Sequence, residues 1–265
     1  MLRKLITAGA VAGASVLWAA CAAAPVASPA PETTAETTAL VHAAPGGQTS
    51  GYLSASALSG KDILPGPPAP GSPYDAADRA NYEATRALEG SPRWKFAQQD
   101  NDLWQGGGLK RFACAMGKDV SPKATPVAWK LLHKIELDVR TIGTPAKNHF
   151  ARRRPALGND KPICIKREPW LETNASYPSG HSMVAWAWAL ILTEAAPERA
   201  DALLQLGQEA GESRVVCGVH YPSDVEAGRT LAAGMVARLH ADAAFMADLA
   251  EAKQELAGAP AATGC

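Results

Sequence analysis

Tyr177-Pro178-Ser179-Gly180-His181 runs without a break into Ser182–Ala196, the stretch SMVAWAWALILTEAA. The second part is apolar nearly all round, the pattern of a helix buried on every side. Its uncharged run, Met183 to Leu192, holds about ten residues, too few to cross a bilayer. Such a segment belongs at the centre of a folded helical domain. Ser179 stands where that helix needs an N-cap, and Gly180 lets a ligand approach the backbone closely. The free N–H groups and positive dipole end favour an anion at this point, with His181 at the mouth of the cradle. Taken alone, the same residues also fit an ordinary capped helix start with a surface histidine.

Outward from this helix the pattern stays helical. Thr125–Thr141 repeats Val127, Leu131, Ile135 and Val139 along one face. Asp75–Leu88, Asp224–His240 and Ala244–Leu256 complete the predicted set. No alternating run is long enough for a strand, and no internal repeat is visible. Gly106-Gly107-Gly108 is a break, and a glycine triplet alone is no sign of a phosphate loop. The chain has 265 residues, is 47% apolar and only 6% aromatic, and carries 26 basic and 26 acidic residues. Alanine is the commonest apolar residue, which favours helix. A formal charge of zero excludes a protein held to nucleic acid or membrane by overall charge. The expected fold class is all-α, a single-domain helical bundle.

Arg3 and Lys4 precede the uncharged run Leu5–Ala20, the layout of a secretory signal over residues 1–21, with an uncleaved anchor as the alternative. Cys21 follows Leu17-Trp18-Ala19-Ala20, which is similar to a lipoprotein cleavage site with Trp in a position usually held by Leu. A lipid anchor at Cys21 therefore stays open. Residues 22–50 are Ala, Pro, Thr and Ser with almost nothing large to bury, so they read as a disordered tether. The folded domain is expected over 51–258, with a flexible tail over 259–265. Leu64–Gly71 is extended and turn-rich, and would wrap the surface with Tyr52 and Leu53 as anchors. If Cys21 leaves or is lipidated, Cys114, Cys164, Cys217 and Cys265 remain to pair in an oxidising compartment. Spacing does not give the connectivity. Cys164 and Cys217 each lie near a site motif, which points to that pair bracing the site.

Two further motifs complete the candidate site. In Lys147-x6-Arg154-Pro155, seven residues are two helical turns, so both cations can face one side while the helix lasts. Pro155 disfavours helical geometry at Arg154 and swings its guanidinium off the helix end. The tract Arg152-Arg153-Arg154 by itself reads as a solvated basic face. In Ser213-Arg214-x5-His220-x3-Asp224, the carboxylate four residues on can hydrogen-bond the imidazole across a helical turn. That bond fixes the tautomer and leaves the far nitrogen free as nucleophile or base. Pro222 suits the start of the helix bearing Asp224, and Gly218 allows the bend that brings Arg214 beside His220. A helix-surface hydrogen bond or a His/Asp metal pair are the alternatives. Three cations around one pocket, Lys147, Arg154 and Arg214, oppose a divalent ion and favour phosphate.

Together the three motifs resemble the signature of the type 2 phosphatidic acid phosphatase (PAP2) superfamily. Within it the chain is similar to the bacterial class A non-specific acid phosphatases, from about Tyr52, through the Leu-Pro-rich stretch and Asp100, to about Leu256. One departure is Ala175 where Gly is expected; another is the long N-terminal tether. The resemblance implies an all-α bundle shared with vanadium haloperoxidases, a periplasmic or secreted enzyme, and hydrolysis of small phosphomonoesters over a broad range. By matching position it makes His220 the nucleophile, giving a phosphohistidine, with Asp224 orienting the ring. His181 would protonate the leaving oxygen and then activate water. Lys147, Arg154, Arg214, Ser179 and the Gly180 N–H would hold the equatorial oxygens. The two histidines are then expected in different states, His220 neutral and His181 protonated. No cofactor and no metal are expected, no transmembrane helix in the mature chain, and a homo-oligomer is suggested by the family.

A vanadium-dependent haloperoxidase on the same scaffold is the enzymatic rival, and a secreted oxyanion-binding protein without turnover the non-catalytic one. Nucleic acid is not an expected partner, because the basic tract is short and lacks interleaved aromatics. Asn174-Ala175-Ser176 matches a glycosylation sequon by chance in a bacterial-type exported chain. His42, His133 and His240 read as surface or packing residues, and His149 is a candidate for the pocket lining beside Lys147. Substrate preference would lie in pocket walls from the Trp94–Leu109 region.

Overall fold

The computed structural model describes residues 50–103 and 107–265, all within the compact unit Thr38–Cys265. The signal at 1–21, nearly all of the tether at 22–50 and Gly106 lie outside the described residues. The helices are α1 (Gly60–Ile63), α2 (Pro73–Thr85), α3 (Pro92–Gln99), α4 (Gly108–Met116), α5 (Pro126–Phe150), α6 (Trp170–Thr173), α7 (Gly180–Ala195), α8 (Ala200–Val216), α9 (Pro222–Leu239) and α10 (Ala243–Gly258). Among the described residues the β-structure is one isolated bridge, Lys118 with Ala261. The fold is all-α, as the sequence predicts.

Several helix starts follow from local chemistry. Ser72 and Ser91 each accept an N–H of the first turn at 3.2 Å, and each is followed by a proline at the first helical position. There the missing N–H costs nothing and φ is already helical. Asp242 caps α10 by accepting the Phe245 N–H at 2.9 Å.

α7 is the central element, with Met183, Val184, Trp188, Ile191 and Leu192 all buried. It packs on α5, α8 and α9, and the Trp188 indole donates to the Leu132 carbonyl at 3.0 Å. Small residues let the neighbours come close. A Cβ at Gly207 of α8 would lie 2.6 Å from the Ala189 Cβ, and one at Gly228 of α9 would lie 2.6 Å from the Ser179 carbonyl oxygen. α8 is not among the helices expected from sequence, because Gly207 and Gly211 lower its helix propensity. Packing against α7 decides it.

α5 also runs further than the predicted Thr141. Ile142, Gly143 and Ala146 stay buried on its inner face, and the helix continues through Pro145 to Phe150. Burial outweighs the one backbone hydrogen bond that Pro145 cannot make. Ala151, at φ 46°, ends the helix in a left-handed turn.

The N-terminal strap is anchored as expected. The Tyr52 hydroxyl donates to Asp248 at 2.7 Å and the Leu53 N–H to Asp138 Oδ1 at 2.8 Å. The tail, expected to be flexible, is instead tied down. Cys265 is bonded to Cys114, the Asp119 N–H donates to the Pro260 carbonyl at 2.9 Å and the Ala262 N–H to the Gly117 carbonyl at 3.3 Å. The sequence offers no core for this segment, so its order comes from the covalent link and the edge bonds. Cys164 is bonded to Cys217. Among the described residues, no helix is long and apolar enough to cross a membrane.

Candidate active site

The start of α9 organises the site. His220 sits just before this helix, so its contact with Asp224 is not the across-a-turn pairing that the spacing suggests. Asp224 folds back over the helix start instead, where Oδ2 accepts the Tyr221 N–H at 2.8 Å. The same oxygen lies 3.3 Å from His220 Nδ1 and accepts the Ser176 hydroxyl at 2.5 Å. On the far side of the ring, Arg154 Nη1 lies 3.0 Å from His220 Nε2. A guanidinium has hydrogens only to donate, so Nε2 carries the lone pair and Nδ1 the proton that faces Asp224. His220 and Asp224 are 2% and 0% exposed, which leaves little water to compete for either contact.

Loop geometry, not a continuing helix, places Arg154. α5 stops at Phe150, four residues short, so the two-turn alignment with Lys147 does not exist. Arg154 Nε donates to the Asn174 carbonyl at 2.8 Å, Nη1 to the Val219 carbonyl at 2.9 Å and Nη2 to Asn174 Oδ1 at 3.1 Å. Lys147 still arrives from α5 and donates to the Ala175 carbonyl at 2.6 Å. A Cβ on Gly180 would lie 3.9 Å from Lys147 Cε, so this lysine passes over the first residue of α7. Ser179 is the N-cap of that helix, its hydroxyl accepting the Ser182 N–H at 3.4 Å, and its own N–H donates to the Asp224 carbonyl at 2.9 Å.

Arg214 lies in the last turn of α8, and Gly218, at φ 83°, turns the chain back so that the His220 N–H reaches the Arg214 carbonyl at 3.3 Å. Its side chain is 1% exposed. Nη1 donates to Asn101 Oδ1 at 3.0 Å, while Nε is buried without a partner. His181 Nε2 donates to the Asn101 carbonyl at 3.1 Å. One residue of the loop after α3 thus holds both groups.

The electrostatics are those of a crowded cationic cage. Burial, then the charges of Arg154, Lys147, Arg214 and His181, push His220 well below the usual imidazole range. Burial and Arg214 do the same to His181, so both rings are pushed in the same direction. Lys147 is driven down by burial and by Arg154, and Arg214 by burial and Arg154. Each shift has the sign that a bound anion would reverse. Among the described residues no three His, Cys, Asp or Glu side chains gather as a metal site.

Every residue singled out by sequence, His220, His181, Asp224, Lys147, Arg154, Ser179, Gly180 and Arg214, falls in this region. Others were missed. Arg152, read from sequence as a solvated basic face, is buried against Asp224, and only Arg153 of that tract is exposed. Ser176 stands one residue before the Tyr-Pro-Ser-Gly-His run, and a small polar residue there is the signal that could have found it. Asp100 accepts Arg111 at 2.7 Å and also the Ser213 hydroxyl, bracing the residue before Arg214. Asn101 and Asp78 carry no local signal. His149 is exposed beside Phe150 rather than near the site. Trp94 is core, packed with Leu171, Val216 and Val219. A cavity of about 740 Å³ flanks Lys147, Arg154 and Asn174 but is lined by neither histidine ring.

Comparison with known proteins places the chain in a family. The PAP2 superfamily model matches residues 137–245, which hold all three motifs. An acid phosphatase of Zymomonas mobilis subsp. mobilis is 43% identical over 192 residues, 72% of this chain and 72% of that protein. A non-specific acid phosphatase of Providencia stuartii is 40% identical over 209 residues, covering 78% of this chain and 84% of its own length. A non-specific acid phosphatase of Salmonella typhimurium is 39% identical over 199 residues, 73% of this chain and 78% of its own. With a caged imidazole–carboxylate pair on an all-α frame and relatives that match over most of their length, the chain belongs to the PAP2 superfamily, among its non-specific acid phosphatases.

Proposed function

We propose that the protein hydrolyses small phosphomonoesters to an alcohol and inorganic phosphate through a phosphohistidine, without a metal ion. The observation that carries this reading is the His220 ring, fixed with Nδ1 toward Asp224 and its Nε2 lone pair toward the guanidinium of Arg154. Nε2 attacks phosphorus in line and a P–N bond forms. The P–O bond to the leaving group breaks, and His181 gives that oxygen a proton. His181 then takes a proton from water, whose oxygen attacks phosphorus as the P–N bond breaks and the ring is restored. Lys147, Arg154, Arg214, Ser179 and the Gly180 N–H hold the equatorial oxygens, and such positioning supplies most of the catalysis in phosphoryl transfer. The anion also brings the negative charge that lifts His181 back toward its protonated form.

Export accompanies this reading. Arg3, Lys4 and the apolar run after them supply the address, and two disulfides suit an oxidising compartment. The test is hydrolysis of p-nitrophenyl phosphate by the purified protein in EDTA. Activity that survives EDTA and vanishes in His220→Ala, with acid-labile ³²P trapped on the wild type alone, is the expected result. Dependence on added divalent metal, or full activity in His220→Ala, would overturn it.

A further inference from the structure

The tract Arg152-Arg153-Arg154 is divided by the fold. Arg154 faces His220, Arg153 faces solvent, and Arg152 turns under Asp224. Arg152 Nη1 donates to Asp224 Oδ1 at 2.6 Å and to Ser223 Oγ at 2.8 Å, while Nη2 donates to Asp78 Oδ2 at 2.8 Å. Asp78 comes from α2 and also accepts the Ser223 N–H at 3.1 Å and the Ser223 hydroxyl. The guanidinium lies over the Tyr221 ring, 4.2 Å from its centroid. The Arg152, Asp78 and Asp224 side chains are 9%, 5% and 0% exposed, so solvent screens these charges weakly.

The two oxygens of Asp224 have separate duties. Oδ2 serves the Tyr221 N–H, the Ser176 hydroxyl and His220 Nδ1. Oδ1 serves Arg152. With Oδ1 held, the carboxylate cannot rotate out of the line of the His220 N–H. The cation on Oδ1 also competes for the negative charge that would favour an imidazolium, and Asp78 offsets part of that cation.

We propose that Arg152, clamped by Asp78 of α2, is a positioning residue for the His220–Asp224 pair, holding the carboxylate in line and setting how readily the imidazole takes a proton. This rests on the nucleophilic role proposed for His220. The other charged or titratable groups facing that ring are Lys147 of α5, Arg154 of the following loop, His181 of α7 and Arg214 of α8, and all stay constant in the test.

The test compares Arg152→Gln, Arg152→Lys and Asp78→Asn. Neutral His220 is the active form, so activity falls as pH drops through its pKa. Removing the cation in Arg152→Gln leaves the whole Asp224 charge on the ring, so the acid limb of kcat/KM moves up by about one pH unit. Asp78→Asn leaves the cation unbalanced and moves the limb the opposite way. Arg152→Lys keeps the charge but loses the fork, so the limb stays near the wild type and kcat falls. KM stays within about twofold in all three, since none touches the phosphate. Titration of the His220 ¹⁵N signals in the free protein should show the same opposed shifts without turnover. Unmoved limbs in folded Arg152→Gln and Asp78→Asn, shifts of one sign in those two, or wild-type kcat in Arg152→Lys would overturn the proposal. If Arg152→Gln does not fold, Asp78→Asn and Arg152→Lys decide it. Full activity in His220→Ala would sink the proposed chemistry instead, and the ring titration would still judge the clamp.

Discussion

Arg154 Nη1 lies 3.0 Å from His220 Nε2, so the cation proposed to hold phosphate covers the lone pair proposed to attack phosphorus. An incoming phosphoryl oxygen would take that hydrogen and uncover the nitrogen. Arg154→Ala should therefore lower kcat/KM by about 10²-fold, the scale of losing one donor to the transition state. It should also raise the His220 pKa, because Arg154 is the largest charge acting on the ring after burial. Steady-state kinetics and ring titration check both, and a variant with wild-type kcat/KM would show that Arg154 does not hold the phosphoryl group.

Oxyanion binding should stabilise the protein. The charges of Lys147, Arg154 and Arg214 disfavour one another, and Arg214 Nε is buried without an acceptor. Inorganic phosphate at a hundred times its Kd should add about 2.7 kcal/mol and raise Tm. Vanadate should do the same and compete with substrate. Arg214→Ala should lose most of this gain, as calorimetry with and without phosphate would reveal.

Asp138 makes stability depend on pH. Burial pushes its carboxyl up to about 6, against the pull of the Leu53 and Tyr52 N–H groups, and Oδ2 is buried without a partner. The folded value lies above the unfolded one. The contribution is therefore full below about pH 4 and is lost as pH rises toward 6. Asp138→Asn keeps an acceptor for Leu53 and should gain stability over the wild type at pH 7 relative to pH 4. Urea unfolding at both values measures this, and an equal difference at the two would refute it.

Gly228→Ala should damage catalysis more than folding. The new Cβ would meet the Ser179 carbonyl oxygen at 2.6 Å and the Ser182 Cβ at 3.0 Å. Backbone cannot yield there without moving the start of α7, where Ser179, Gly180 and His181 lie. Overpacking of this kind costs about 1–3 kcal/mol. Activity should fall at least tenfold in protein that is still folded at the assay temperature, read as kcat/KM beside a thermal melt.

The Cys164–Cys217 bond braces the turn that leads into His220, and the Cys164 N–H donates to the Cys217 carbonyl at 2.9 Å. Replacing both cysteines with alanine should cost about 2–5 kcal/mol. It should also lower kcat, because the Cys217–Val219 backbone positions both the Arg154 partner carbonyl and the ring. Denaturant melts and kinetics on the double variant test this, and unchanged kcat would place the turn under the control of packing alone.

Periodicity and composition alone determined that the chain is helical and that the segment after Ser179 is buried. Both depend on side chains a few residues apart, so both are visible in a linear string. The types and order of Lys147, Arg154, Ser179, His181, Arg214, His220 and Asp224 likewise point to the proposed anion site, because those groups carry their charge and proton chemistry wherever they are placed. The chain's tertiary packing decided the rest. α8 forms because Gly207 fits against Ala189, which helix propensity does not see. Arg152 became a buried partner of Asp224 rather than a solvated cation because α2 brings Asp78 to it, 74 residues away in sequence. Burial, and then the neighbouring cations, pushes both histidines below the usual imidazole range. Desolvation and neighbouring charge are properties of a place, and a place exists only once distant segments have folded around it.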